Sequence, residues 1–121
     1  MLRTLVISFF VTLIVANPVR AADVFLSVID DLPVMNGMTE VEDPAVSFET
    51  ANGRIAEAAI VGAVPAEELR AFYDAVLPQF GWVRQSDESF VREGERLRLA
   101  ITSLKSGQTN VRYSLSPDPA R

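Results

Sequence analysis

Three arginines in the C-terminal half of the chain, Arg96, Arg98 and Arg112, are candidate binding residues. Arg96 and Arg98 alternate with apolar residues in one strand-like segment, and Arg112 lies between Val111 and Tyr113 in the next. Because successive side chains of a strand point to opposite faces, we expect the three guanidinium groups on the sheet face away from the core. Such a face would suit an anion or the acidic surface of a partner protein.

Plainer explanations for these arginines stay open. Exposed strands carry arginine for solubility, or to guard a sheet edge against pairing with another chain. The arginines could also meet the acidic N-terminal part of the domain. Residues 23–68 hold ten acids and one arginine, whereas residues 84–112 hold four acids and six basic residues, so the domain is electrically bipolar.

The composition excludes several classes of function. With no histidine and no cysteine, Ser–His and Cys–His nucleophile pairs cannot form, and zinc, copper and haem lose their usual ligands. A formal net charge of −5 with a single lysine is unfavourable for binding polyanions, so we expect no nucleic acid partner.

Carboxylates remain as candidates for metal binding or catalysis. Five of them could offer oxygens to calcium: Asp30, Asp31, Glu40, Glu42 and Asp43. Their spacing matches no calcium loop, and an acidic solvated arm explains them better. Glu67 and Glu68 are adjacent, so on a helix they point about 100° apart and suit the first turn rather than an acid–base pair. We therefore expect no catalytic residue, no cofactor and no metal, and a protein that is not an enzyme.

Two aromatic residues, Tyr73 and Trp82, could stack on a sugar. Both occur at a spacing that also suits packing in a core, and packing is the simpler interpretation.

The clearest element that would position these residues is a helix between Pro65 and Gly81. Apolar side chains recur at helical spacing and form one stripe: Leu69, Phe72, Tyr73, Val76, Leu77 and Phe80. Gly81 is the expected C-terminal cap, and Pro78 should kink or tighten the last turn.

Strand signals lie on both sides of this helix. Asn52-Gly53 predicts a hairpin turn between a strand near Val46 and a second one running to Val64. After the helix, three segments alternate and predict a meander: Phe90–Arg92, Leu97–Ile101 and Val111–Leu115. The fold class expected is α+β, with one main helix packed on an antiparallel sheet in the order hairpin, helix, meander.

The remaining segments lie at the two ends. Arg3, an apolar run of twelve residues from Leu5 to Ala16, and small residues before position 22 predict a signal peptide over 1–21. A retained membrane anchor is the alternative, although a bilayer-spanning helix needs about 20 apolar residues. We expect an acidic irregular arm over 22–44, the α+β domain over 45–116 and a C-terminal tail over 117–121. Without cysteine the chain has neither disulfides nor a lipid anchor.

A set of structural motifs in this chain resembles a family of small exported bacterial proteins. The resemblance rests on Asp31-Leu32-Pro33 followed by Gly37, on Tyr73 in the helix, on Gly81-Trp82 at its exit, and on the segment Phe90–Leu97. It covers roughly residues 31–115. The family is uncharacterised, so the resemblance implies export and an α+β fold and carries over no activity.

These observations favour a non-catalytic exported protein, periplasmic or secreted, that acts as a binding or adaptor domain. Its partner would be another periplasmic or envelope protein. A carrier or sensor that binds a small amphipathic or anionic ligand between the helix and the arm is the alternative.

Cleavage of the signal peptide can be tested directly. We expect the mature protein to begin at Ala22, because a cut after Ala21 places the small residues Val19 and Ala21 in the peptidase pockets. Mass analysis of the exported protein measures this end. A chain that retains Met1 would contradict cleavage and favour the anchor.

Overall fold

The fold is an antiparallel sheet with one helix packed on it, seen in a computed structural model that describes residues 24–118. The elements are β1 (Met38–Thr50), β2 (Gly53–Gly62), α1 (Ala66–Val76), a 3-10 turn (Leu77–Phe80), β3 (Val83–Ser86), β4 (Ser89–Arg92), β5 (Glu95–Ser103) and β6 (Thr109–Pro117). The α+β class is confirmed in coarse form. Strand makes up 54% of the structure and helix 16%, so the fold is mostly β.

The six strands lie in the order β1-β2-β6-β5-β4-β3, and all neighbours are antiparallel. The last strand in sequence, β6, returns between β2 and β5 and joins the hairpin to the meander. β6 and β5 are therefore the central strands, and β1 and β3 are the edges.

Local sequence explains where the helix begins and ends. The carbonyl of Pro65 accepts hydrogen bonds from the amides of Glu68 and Leu69, which closes the first turn of α1. Pro78 lies in the 3-10 turn, so it tightens the exit of the helix as expected. Gly81 caps that turn at a φ of 88°, a left-handed conformation that favours glycine.

The core lies between one face of the sheet and a layer formed by α1 and the arm. The sheet supplies the inward rows of β2, β5 and β6: Ala56, Ala58, Ile60, Leu97, Leu99, Val111, Tyr113 and Leu115. The arm supplies Leu26, Ile29, Leu32 and Val34. Gly62 allows this layer to approach β2, since a Cβ there would lie 2.2 Å from the carbonyl oxygen of Gly37.

The sheet begins seven residues earlier than the boundary predicted at position 45. Residues 38–44, assigned to the arm from the sequence, belong to β1. Acidic residues are rare in strands, and a proline normally ends one, which is why the segment before Pro44 does not resemble a strand. The strand continues because the β1–β2 register shifts between Val41 and Val46, and an edge strand tolerates proline at such an irregularity.

Two further features differ from expectation. β3 is an additional strand whose four residues are all exposed, so it has no buried face to give a periodic signal. The predicted tail begins inside β6, which ends at Pro117, and the amide of Asp118 donates to the carbonyl of Gly94 at 2.8 Å.

The predicted signal peptide, its cleavage site, residues 22–23 of the arm and residues 119–121 of the tail lie outside the described residues. Between residues 24 and 118, no helix has the length and apolar character needed to cross a membrane.

A buried pair of tyrosines connects the three parts of the core. The hydroxyl of Tyr73 on α1 donates to the carbonyl of Pro33 in the arm at 2.8 Å. The hydroxyl of Tyr113 on β6 is hydrogen-bonded to that of Tyr73, and the two rings meet edge to face. Burial raises the pKa of Tyr73 to about 12. Burial also raises the pKa of Tyr113, and the nearby Tyr73 and Glu40 add to this shift.

The tyrosine pair predicts a loss of stability at alkaline pH. The unfolded state loses a tyrosine proton near pH 10, whereas folded Tyr73 holds its proton to about pH 12. The contribution of Tyr73 to the free energy of unfolding is therefore fully present below pH 10. Between pH 10 and 12 this contribution falls by about 1.4 kcal/mol per pH unit. Urea unfolding at a series of pH values measures this slope. Tyr73→Phe should reduce the slope and leave the part that is due to Tyr113, whereas Phe72→Leu should not change it. A slope that is unchanged in Tyr73→Phe would contradict the assignment.

Candidate functional site

The sheet face opposite α1, called the open face below, exposes side chains of several strands, among them Val46, Phe48, Arg98 and Arg112. Its side chains follow from the register of the central strands. Arg98 on β5 lies opposite Ser114 on β6, and Ala100 on β5 lies opposite Arg112 on β6. The four residues form a square in which arginines occupy two diagonal corners and small residues occupy the other two.

This square encloses a hollow of about 280 Å3. Its lining residues are Glu88, Arg98, Leu99, Ala100, Arg112 and Ser114. Diagonal neighbours on adjacent strands have Cα atoms about 7–8 Å apart, within reach of two long side chains that converge on one group. Because Ala100 and Ser114 are small, the space between the two guanidinium groups stays open.

The three predicted arginines do not act as one group. Arg96 lies on the same face, opposite Ser116, but its Nη2 pairs with Oδ1 of Asp118 at 3.0 Å. Arg98 and Arg112 are both exposed, and among residues 24–118 neither has a carboxylate within 4.0 Å. The structure therefore brings Arg98 and Arg112 together, whereas Arg96 is engaged with the chain's own C-terminal residues.

Two of the plainer explanations do not fit this placement. Arg98 and Arg112 stand on the central strands, so they cannot guard an edge of the sheet. The acidic arm packs on the helix side, where Asp31 pairs with Arg92, so it does not meet them. Solubility is the explanation that remains beside binding.

An apolar strip lies next to the arginines on the same face. It is formed by residues of β1 and β2 on this face: Val41, Val46, Phe48, Ile55 and Val61. The half-buried Glu57 lies among them, opposite Val46 on β1 and Ser114 on β6. Phe48 is 53% exposed and Val46 is 46% exposed. The strip is continuous with the arginines, because Ala59 on β2 lies opposite Arg112 on β6. Contiguous exposed apolar groups of this kind mark interaction surfaces.

The apolar strip was not predicted from the sequence. The alternation of Val46 and Phe48 was visible, but it does not say which face the two residues occupy. Counting outward from the Asn52-Gly53 turn pairs Phe48 with Ile55, and Ile55 lies on the face away from the buried Ala56. Counting residue pairs from the turn could therefore have placed Phe48 on the exposed face.

A larger cavity of about 460 Å3 lies at the exit of the helix, beside Arg92. Its arginine is used for structure. Nη1 of Arg92 lies 2.5 Å from Oδ2 of Asp31 and donates to the carbonyl of Phe80 at 2.9 Å. The guanidinium also sits 4.2 Å from the centre of the Trp82 ring. The Arg92 side chain already contacts a carboxylate, a backbone carbonyl and an aromatic ring, so it is engaged in holding the fold. We therefore place the candidate site on the open face.

The other candidates from the sequence fall away on burial or spacing. Trp82 and Tyr73 are each 1% exposed, so neither ring can stack on a sugar. Oε1 of Glu40 accepts a hydrogen bond from the hydroxyl of Ser27 at 2.9 Å. Within the described part of the chain, no three carboxylates lie close enough together to hold a metal ion.

No protein family model, curated protein sequence or solved structure matches this chain. Its function is therefore argued from the geometry of the open face and from the sequence.

The ion pair between Arg92 and Asp31 predicts how firmly the arm is held. Asp31→Asn should destabilise the fold by about 1–3 kcal/mol, because a half-buried guanidinium loses its nearer charged partner and keeps only Glu95, at 3.9 Å. Hydrogen exchange should then accelerate in residues 24–37 before it changes in β5 and β6.

Asp30→Asn is the matched control, since the adjacent Asp30 is exposed and makes no ion pair among the described residues. Equal exchange rates in the two variants would show that the arm does not depend on this pair.

Proposed function

We propose that this protein is an exported, non-catalytic binding or adaptor domain that docks a periplasmic or envelope protein on its open face. The observation that carries the proposal is one surface with two parts. Arg98 and Arg112 stand without an ion-pair partner among residues 24–118, and the apolar strip lies beside them.

The energetics of the open face favour a partner. Antiparallel sheets commonly leave one face in water, but that face is then polar. Here Phe48 and Val46 keep about half of their surface in water, and covering apolar area contributes about 25 cal/mol per Å2. A partner that covers the strip gains this term, and an acid on the partner gains charge-assisted hydrogen bonds to the arginines.

Export and the absence of catalysis rest on the sequence. The basic, apolar and small-residue order of residues 1–21 supports export. The lack of histidine and cysteine removes the commonest catalytic groups. Beside the arginines of the open face lie the carboxylates of Glu57 and Glu88 and the hydroxyl of Ser114, with no histidine to activate that hydroxyl.

The carrier or sensor is a weaker proposal. Its ligand was expected between the helix and the arm, where Leu26, Ile29 and Leu32 are fully buried and pack into the core. A small ligand would instead have to use the hollow between Arg98 and Arg112.

Site-specific photocrosslinking in the native host tests the docking proposal. A photoreactive residue at Val46 on the open face should give a crosslinked protein product, whereas one at Arg70 on the exposed side of α1 should not. The product should be lost when Arg98 and Arg112 are both changed to Glu. It should persist in Arg84→Glu, because Arg84 lies away from this face and pairs with Asp74.

The variants must first be shown to fold, by comparing melting temperatures, which exposed substitutions should leave nearly unchanged. Products that are equal from both positions, or that survive the double reversal, would contradict docking on the open face.

A further inference from the structure

The charge pattern and the width of the open face indicate what kind of molecule binds there. This inference rests on the docking proposed above. We infer that the open face receives an amphipathic helix of a partner protein, with one acidic side chain of that helix held between Arg98 and Arg112. The apolar side of the helix lies on the apolar strip.

The hollow is suited to a single oxyanion. Its lining includes the guanidinium groups of Arg98 and Arg112 and the hydroxyl of Ser114, which offer several donors to one carboxylate. Glu88 also lines the hollow and Glu57 lies opposite Ser114, so an acid of the partner must enter between the two guanidinium groups, away from these carboxylates. The hollow of about 280 Å3 is open to solvent. A ligand whose charged group enters it can therefore extend over the neighbouring surface, which on the β2 side is the apolar strip.

The width of the surface matches one helix. Strands lie about 4.8 Å apart, so β1 and β5, three steps apart in the sheet, are separated by about 14 Å. A helix with its side chains is about 10–12 Å across. One helix on β2 and β6 therefore reaches the apolar strip on one side and the two arginines on the other. An extended peptide, only one strand wide, would leave part of this surface in water.

Charge favours a protein over a membrane. The chain carries a net charge of −5, and Glu42 and Asp43 are exposed at the β1 margin of the strip. Anionic lipid headgroups would be repelled there even if they were attracted by Arg98 and Arg112. A partner helix can instead place acids toward β5 and neutral or basic residues toward β1.

A second copy of the chain does not offer such a helix within residues 24–118. The apolar stripe of α1 is already buried, since Leu69, Tyr73 and Leu77 lie in the core of their own molecule. Since residues 24–118 offer no free helix and the signal peptide is expected to be removed, we infer that the partner is a different protein.

Two labelled peptides of about 18 residues test this occupant, a length above that at which isolated helices become marginal. Both carry the same leucine stripe, and one has glutamates along a flank where the other has lysines. Fluorescence anisotropy with the exported protein should show the glutamate peptide binding at least tenfold more tightly. Arg98→Glu combined with Arg112→Glu should invert this preference, whereas Arg70→Glu and Arg84→Glu should leave it unchanged.

The apolar contribution is tested separately. Val46→Ser with Phe48→Ser should weaken both peptides by a similar factor, because the strip contacts the shared leucines. Hydrogen exchange should show protection of β2 and β6 on binding. Equal binding of the two peptides, or a preference that survives charge reversal, would overturn the inference.

Binding to phosphatidylglycerol vesicles distinguishes a membrane surface from a partner helix. If they bind the protein through Arg98 and Arg112 while neither peptide binds, the occupant is a lipid surface and the helix is excluded. Failure of the helix inference can be distinguished from failure of the docking proposal. If crosslinking from Val46 depends on the arginines but the peptides show no preference, docking stands and the helical occupant fails; without such crosslinking, both fail.

Discussion

The hydroxyl of Tyr73 joins the helix, the arm and the central strand of the sheet at one buried point. It donates to Pro33 in the arm and is hydrogen-bonded to Tyr113 on β6. Buried polar groups are costly when they lose their partners, so none of the three parts can leave without exposing or orphaning groups in the others. At the helix exit, Arg92 repeats this arrangement with Asp31. The arm is thereby a structural layer of the domain.

Hydrogen bonds and ion pairs on the helix side of the sheet determine which charged groups are left for the open face. Asp31 is committed to Arg92 on that side, and Glu40 to Ser27. Asp31 and Glu40 are thus engaged on the helix side and do not reach Arg98 and Arg112, whereas Glu42 and Asp43 are exposed at the β1 margin of the sheet. The electrical polarity visible in the sequence is only partly a separation between the two faces of the sheet, because Glu57 and Glu88 lie beside the arginines on the open face.

Features that depend on neighbouring residues were predictable, and features that depend on distant ones were not. The cap at Gly81 and the helix before it arise from local spacing, and the alternation of β5 and β6 places their arginines on one face. The pairing of Arg96 with Asp118 requires the chain to return across 22 positions, which no local pattern encodes. The face taken by Val46 and Phe48 depends on the hairpin register, and β2 carries apolar residues on both sides, with Glu57 as the acid on the open face, so alternation alone could not choose.

The irregularity in β1 has a consequence for how an exposed apolar surface can be tolerated. Long, flat edge strands are templates on which other chains add and grow into aggregates. The β1 edge is interrupted between Val41 and Val46, and Pro44 within that interval has no amide hydrogen to donate. Four acids along the strand add repulsion between like copies: Glu40, Glu42, Asp43 and Glu49. The apolar strip can therefore stay exposed, because the neighbouring β1 edge does not readily pair with the edge of another copy.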